Sequence, residues 1–281
     1  MSTIKLKKNE TFYIREGWFE KAINTINDQN VNIFYKNEGI SYLGIGSNMV
    51  KGLKYWLKAA GIITGLNNEL TDFGKLLYEY DRYLDDLFSW FMIHYFLTIN
   101  KEECPVAYEV FNSGFMSFDK IGMIDYLMKQ FSQEDNSINK KYVDADLNVF
   151  VKSYVNEDTF SNPEDNYICP LSRLKLIKKE RDVYKKNRPI YSSLSYLIVF
   201  FCLQQIYRGK PFDIEESMQV NNSPVKIFNL DKYMYLRYLD DARKNGLITI
   251  NRTAGLNTVY FERKLSLSDL FAEKFGGEEN V

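Results

Sequence analysis

LGIGSNMVKGLKYWLKAAG, residues 43–61, has the pattern of the second half of a helix-turn-helix. Gly44 and Gly46 permit a tight turn that other residues would adopt only with strain. Ser47 or Asn48 is then placed to cap a new helix by accepting a backbone N–H bond. Four apolar residues recur at helical spacing after this cap: Val50, Leu53, Leu57 and Ala60. They share one face, which we expect to pack against the protein.

The other side of this predicted helix is basic, and no acidic residue occurs in the whole stretch. A helix that packs through its apolar side and leaves a basic side free suits a DNA groove. We therefore expect lysines on phosphates, with Asn48 or Tyr55 closest to the bases. The expected DNA contacts of this helix are Ser47, Asn48, Lys51, Lys54, Tyr55 and Lys58. The same pattern also serves contacts with proteins.

Composition limits the class of protein. The 281 residues are 45% hydrophobic, which supplies a substantial core. The net charge of −1 excludes a uniformly basic surface, so any nucleic-acid contact has to use local patches. The N-terminus lacks the apolar core of a secretory signal, and no apolar run is long enough to span a bilayer. Three isolated cysteines, Cys104, Cys169 and Cys202, indicate buried thiols and a cytoplasmic location.

The pattern of helices and turns predicts a mainly α protein, built from winged-helix units on a helical core. A winged-helix unit is a helix-turn-helix followed by a β-hairpin. Asn67–Asn68 marks a hairpin turn after the first such helix, Thr71 caps a helix that extends to Leu84, and Leu87–Asn100 is a core helix. The predicted units are residues 1–112, with long helices, 113–190, with a helix-turn-helix and wing, and 191–281.

The middle unit contains the strongest local charge of the chain. Residues 173–188 hold eight basic residues against Glu180 and Asp182, a net charge of +6. Alternation predicts a β-hairpin in which Leu174, Leu176 and Val183 face the protein. The lysines that we expect to contact a DNA backbone are Lys178, Lys179, Lys185 and Lys186. An acidic protein surface would be attracted equally.

The last unit again has the order of helices followed by a hairpin. One helix is predicted over residues 191–207 and another over 225–245, before strands around RTAGLN. Lys232, Arg237 and Arg252 are the expected DNA contacts of this unit. Nearby acidic residues dilute this patch: Asp231, Asp240 and Asp241.

Catalytic and metal-binding patterns are sparse. His94, the single histidine, lies in an apolar run typical of a helix core. Asp144 and Asp146 are two residues apart and point to different faces of a helix. Gly44-Ile45-Gly46 lacks the GxxxxGK[ST] and GxGxxG patterns of nucleotide-binding loops. We therefore expect no catalytic residue, metal site or cofactor. An enzyme whose distant carboxylates meet in the fold and a nucleotide-binding turn stay as alternatives.

Sequence blocks along most of the chain carry a family resemblance. They are ETFYIREGWFEKAI, LGIGSNMVKGLKYWLKAAGI, LTDFGKLLY, NYICPLSRLKLI, VKIFNLDKYMYLRYLDDA and TAGLNTVYF. Over about residues 9–261 the chain resembles the bacterial domain-of-unknown-function family numbered four thousand and seven. Genes of that family often neighbour genes for phosphosulfate-reductase-like and cysteine-desulfurase-like proteins, in DNA phosphorothioation and phage-defence clusters. The resemblance implies a role in DNA modification or defence and supplies no catalytic residues.

The residues and the resemblance together predict a non-enzymatic protein that binds double-stranded DNA in such a system. One alternative is an adaptor that uses the same surfaces to hold a phosphosulfate-reductase-like or cysteine-desulfurase-like partner. The near-neutral net charge favours this alternative. Another alternative is a transcriptional regulator of the gene cluster.

Overall fold

The computed structural model describes residues 4–36, 38–65, 67–156, 168–253 and 256–276. Within these residues the chain is mainly helical, with 53% helix in 13 helices, and has small antiparallel sheets. The mainly α class predicted from the sequence is therefore confirmed. The chain divides into two compact units, the first from Met1–Val110 and Phe115–Asn187, the second from Phe111–Gly114 and Arg188–Val281. The division into three units stays a prediction, because one compact unit can hold two small modules.

The first unit begins with a series of helices and ends with a hairpin. Its helices are α1 (Trp18–Gln29), α2 (Glu38–Leu43), α3 (Ser47–Ala59), α4 (Asp72–Tyr80), α5 (Leu87–Ile99), α6 (Pro105–Asn112), α7 (Lys120–Ser132) and α8 (Lys140–Tyr154). Its strands are β1 (Ser117–Phe118), β2 (Ile177–Glu180) and β3 (Val183–Lys186), with a 3₁₀ helix at Pro170–Leu174 before β2. Helix α6 extends two residues past the boundary of this unit.

Local signals explain most of the helix boundaries in this unit. The predicted cap at Thr71 is confirmed, since its hydroxyl accepts the Gly74 N–H at 3.1 Å. The prediction that this helix extends to Leu84 is wrong. Helix α4 ends at Tyr80, and Leu84 has a left-handed backbone (φ 52°) that an α-helix cannot include. Helix α5 is buried along nearly its whole length and forms the predicted core.

The second unit contains five helices and three strands among its described residues. They are α9 (Tyr196–Tyr207), β4 (Phe212–Asp213), α10 (Ile214–Ser217), α11 (Pro224–Ile227), α12 (Lys232–Lys244), β5 (Ile248–Thr253), β6 (Leu256–Phe261) and α13 (Leu267–Phe275). The helix predicted from residue 191 begins only at Tyr196, after Ser195 caps its N-terminus. The continuous helix predicted over 225–245 is wrong. Asn229 is left-handed (φ 53°), and Asp231 caps a separate helix by accepting the Met234 N–H at 2.7 Å.

The two sheets have the same strand order. In each, a short strand pairs with the second strand of a later hairpin, which gives the orders β1-β3-β2 and β4-β6-β5. All pairs are antiparallel, and Phe118 lies opposite Tyr184 in the first sheet as Phe212 lies opposite Val259 in the second. After α3, where the sequence predicts a hairpin, the chain forms one antiparallel bridge between Ile63 and Leu70.

Candidate nucleic-acid interface

The apolar side of α3 packs this helix against the rest of the first unit. Leu53, Leu57 and Ala60 are fully buried, whereas Val50 is only half-buried. At Gly52 the backbone of the N-terminal segment comes so close that an added Cβ would lie 2.9 Å from the Asn9 carbonyl oxygen. The predicted packing face is therefore confirmed for the part of the helix that includes these residues.

The other side of α3 carries three lysines that have no acidic partner in the described part of the chain. Lys51 is exposed, and Lys54 and Lys58 are half-buried. Among the described residues none of the three forms an ion pair; the Lys58 ammonium instead donates to the Gly65 carbonyl at 3.0 Å. Burial, and then the nearby Lys58 charge, lowers the pKa of Lys54. A phosphate between these ammonium groups would relieve their repulsion.

The N-terminus of α3 differs from the prediction. Gly46, and not Ser47 or Asn48, is the N-cap residue, and no side chain caps the helix. Ser47 and Asn48 lie within the first turn and are exposed. Gly44 has the left-handed backbone (φ 68°) expected at this turn. An uncapped N-terminus presents backbone N–H groups with a partial positive charge, which suits an anion.

Tyr55 points into the protein rather than away from it. Its hydroxyl donates to the Glu103 carbonyl and lies 3.4 Å from the Cys104 sulfur. Burial raises the pKa of this phenol well above its ordinary value. Its ring packs edge-on against Trp56. The hydroxyl is thus occupied within the protein, and a contact between Tyr55 and DNA stays a prediction.

The predicted β-hairpin forms, but one strand presents a different face. Leu174 and Leu176 are buried as predicted, whereas Val183 is half-exposed and Tyr184 is buried instead. The turn at residues 181–182 places Val183 opposite Glu180, which sets the alternation of β3. Tyr184 packs on Phe118 across the sheet.

The hairpin lysines are surrounded by more acid than those of α3. Glu180 pairs with both Lys178 and Lys185, which lowers the pKa of this exposed carboxyl to about 2. The Lys179 ammonium lies 5.8 Å from the centre of the Tyr184 ring. Lys186 is half-exposed at the end of β3. The basic charge of this segment is therefore partly neutralised within the hairpin itself.

In the second unit, the predicted contacts lie on α12 and β5. Lys232 pairs with Glu215, and the Arg237 guanidinium lies 3.7 Å from the centre of the Tyr191 ring. Arg252 is exposed on β5. Two of the three predicted residues are therefore already engaged within the unit.

The single histidine and the three cysteines are buried. His94 is fully buried, and its Nδ1 lies 2.8 Å from the Tyr154 hydroxyl. All three cysteines are free and buried, as predicted. In the described ranges, no three His, Cys, Asp or Glu side chains gather into a group that could hold a metal ion. None of the described helices is long and apolar enough to cross a membrane.

Sequence reasoning missed two polar features of the first unit. Asp146 is buried on α8, where its oxygens accept the Lys7 N–H and the Asn9 amide, each at 2.8 Å. Its position among Val143, Leu147 and Phe150 on the apolar stripe was the available signal. The second feature is a basic cleft beside the hairpin. Its cations, which are Lys175, Lys178, Lys179 and Arg181, belong to the charged segment, but their convergence depends on the fold.

Comparison with known proteins gives a family and a fold. The chain belongs to the family described as "Protein of unknown function (DUF4007)", which matches residues 7–274. No curated protein matches it. Its structure is similar to "SspB crystal structure" (TM-score 0.84, 20% identity) and to "Magnesium ion-bound SspB crystal structure" (TM-score 0.83, 19% identity). Each match covers 100% of this chain and 90% of the other, and at this identity the likeness concerns the fold.

Proposed function

We propose that this protein binds double-stranded DNA as an accessory protein of a DNA-modification or phage-defence system of the phosphorothioation type. The observation that carries the proposal is the α3 lysine surface, defined as Lys51, Lys54 and Lys58. These three cations share one side of a helix and lack acidic partners among the described residues. Such a surface suits the phosphate groups of a polyanionic ligand, and DNA is a ligand of this kind.

The arrangement of elements also supports DNA binding. In the second unit, helices α9 to α12 and strands β4 to β6 follow the order of a winged helix, with β4 pairing with the far strand of the hairpin. The sheet order β1-β3-β2 repeats this arrangement in the first unit. We take both as winged-helix modules, with α3 and its turn as a further helix-turn-helix. Such modules place a helix in the major groove and a hairpin on the backbone.

The test compares two triple variants in duplex DNA binding at several salt concentrations. K51A/K54A/K58A should bind more weakly than the unaltered protein, with a salt slope smaller by up to about three. The matched control, K129A/K141A/K152A, removes three exposed lysines of the same unit and should change neither measurement much. Unchanged affinity and slope in the folded α3 variant would contradict the assignment of this surface.

An adaptor is the second candidate function, favoured by exposed apolar side chains on α12. Tyr233 is 68% exposed and Leu236 is 38% exposed, and the Arg237 guanidinium lies 3.7 Å from the centre of the Tyr191 ring and 5.9 Å from that of Tyr233. Tyrosine and arginine are frequent anchors of protein interfaces. In this account a sulfur-transfer enzyme of the phosphosulfate-reductase or cysteine-desulfurase type would be the partner. The adaptor would be supported if this enzyme co-purifies with the unaltered protein but not with a Y233A/L236A variant that still binds DNA.

We further propose that the chain has no catalytic activity of its own. One similar structure is titled as magnesium-bound, but the described residues here lack a group of three metal ligands. They therefore provide no site in which three protein side chains together hold magnesium. The test is incubation of purified protein with supercoiled plasmid and Mg²⁺. We expect the plasmid to stay intact. Nicking that a single polar substitution abolishes would overturn this proposal.

A further inference from the structure

A cleft of about 530 Å³ lies beside the hairpin in the first unit. Four cationic side chains line it: Lys175, Lys178, Lys179 and Arg181. Two carboxamide side chains, those of Asn156 and Asn187, also line it, together with the hydroxyl-bearing residues Tyr154 and Ser172. No Asp or Glu from the described ranges lines this cleft. We call it the hairpin cleft.

The charge of the hairpin cleft is only partly compensated. Lys178 pairs with Glu180 at 2.8 Å, so its charge is shared with a carboxylate. Lys175 and Arg181 form no ion pair with any residue that the structure describes. Both are exposed, and each has a left-handed backbone, with φ of 54° and 57°. Concave surfaces lined by one sign of charge focus the electric field and concentrate counter-ions.

The base of the hairpin is held in place beside this cleft. The Asn187 amide donates to the Lys175 carbonyl at 2.8 Å, and the Asn187 N–H donates to the Leu176 carbonyl at 2.8 Å. These bonds tie the residue after β3 to the residues before β2. The cations at the two ends of β2 are thus presented by an anchored hairpin rather than by a free loop, which reduces the entropy lost on binding.

We propose that the hairpin cleft binds the phosphoryl group of a single nucleotide. A phosphate carries up to two negative charges and accepts hydrogen bonds from several cations at once, including the fork of an arginine. Carboxamides on the same wall supply both donors and acceptors for a sugar or base. The volume lies in the range of small-molecule sites and suits one nucleotide rather than a duplex.

This inference deepens the proposed function, because the phosphoryl group can come from the end of a DNA strand. A free nucleotide is the other source of the same chemistry. The cleft residues differ from the α3 lysine surface, so the two assignments can be tested separately.

The test measures binding of deoxyadenosine 5′-monophosphate and of deoxyadenosine by calorimetry at low salt. We expect the phosphorylated ligand to bind at least about tenfold more tightly. K175Q/R181Q should lose most of this preference, since it removes the two unpaired charges and keeps a polar, unbranched side chain at each position. K129Q/R208Q is the matched control. It also removes one lysine and one arginine, and Arg208 is exposed with a left-handed backbone (φ 54°). This control should bind like the unaltered protein.

Competition by single-stranded oligonucleotides then separates the two sources. Stronger competition by a 5′-phosphorylated oligonucleotide than by its 5′-hydroxyl form assigns the cleft to strand ends, and competition by neither form assigns it to free nucleotides. Equal competition by both forms would show that internal phosphodiesters bind, which would overturn the inference of a site for the phosphoryl group of a single nucleotide. The inference is overturned if the monophosphate binds no better than the nucleoside, or if K175Q/R181Q retains the preference. If K175Q/R181Q still binds duplex DNA, the proposed function holds even when the cleft inference fails. If K51A/K54A/K58A binds duplex DNA normally but the monophosphate preference still depends on Lys175 and Arg181, the α3 assignment fails and the cleft inference holds.

Discussion

At the scale of single residues, Asp146 is a charge that the fold places in an apolar environment. It anchors the N-terminal segment to α8 through the Lys7 N–H and the Asn9 amide. Burial raises the pKa of this carboxyl from 3.8 to about 6, although both hydrogen bonds act in the opposite direction. The ionised form is therefore disfavoured in the folded protein relative to the unfolded chain.

The raised pKa predicts a particular pH dependence of stability. The unfolded carboxyl loses its proton near pH 4 and the folded one near pH 6. The stabilisation from this group is therefore present below pH 4 and is lost as the pH rises to 6. Two pKa units correspond to about 3 kcal/mol. Urea unfolding from pH 4 to 7 should show a fall in the free energy of unfolding of the unaltered protein relative to D146N.

A neighbouring carboxyl supplies the control for this prediction. Asp144 lies two residues earlier on α8 and is exposed. D144N should follow the unaltered protein across the whole pH range. An identical pH profile for D146N and the unaltered protein would show that Asp146 has an ordinary pKa.

At the scale of elements, the position of α3 depends on a close approach to the N-terminal segment. The Asn9 carbonyl lies against Gly52, and the Trp56 indole N–H donates to the Phe12 carbonyl at 2.8 Å. G52V should lower the free energy of unfolding by about 2 kcal/mol, because overpacked sites commonly lose 1–3 kcal/mol. At Gly122, within the first turn of α7, the nearest atom to an added Cβ lies 3.4 Å away, which is an ordinary contact. G122V is thus the control in thermal unfolding, and equal melting temperatures for G52V and G122V would refute the packing argument.

The elements also show what the sequence could and could not predict. Helix α3 follows from its apolar spacing, and the hairpin from its alternation around a charged tip. The break between α11 and α12 was missed because an apolar stripe continues across it. Two residues gave a signal of the break: Asn229, a residue type that tolerates a left-handed backbone, and Asp231, a residue type that caps helices. The sequence predicted that Val183 faces the protein, whereas its neighbour Tyr184 does. Both residues are apolar enough to be buried, so the pattern fits either face, and the length of the turn decides between them by setting the register.

At the scale of the whole molecule, cations are distributed over local patches of a nearly neutral chain. Among the residues that the structure describes, salt bridges use several of these cations, including Lys178, Lys185 and Lys232, but none in the α3 lysine surface. Sequence counting identified the basic segments. It could not separate paired from unpaired cations, because the partners Glu180 and Glu215 reach them through turns and tertiary contacts. For this reason we propose the α3 lysine surface ahead of the other candidate surfaces for DNA binding.

Lysine acetylation followed by mass spectrometry, with and without a duplex of about 20 base pairs, tests this ranking most directly. Bound phosphates should protect Lys51, Lys54 and Lys58 from the reagent, and protection should fade as salt rises. The exposed lysines Lys129 and Lys152 should react equally in both samples. Equal reactivity of the three α3 lysines with and without bound DNA would contradict the account.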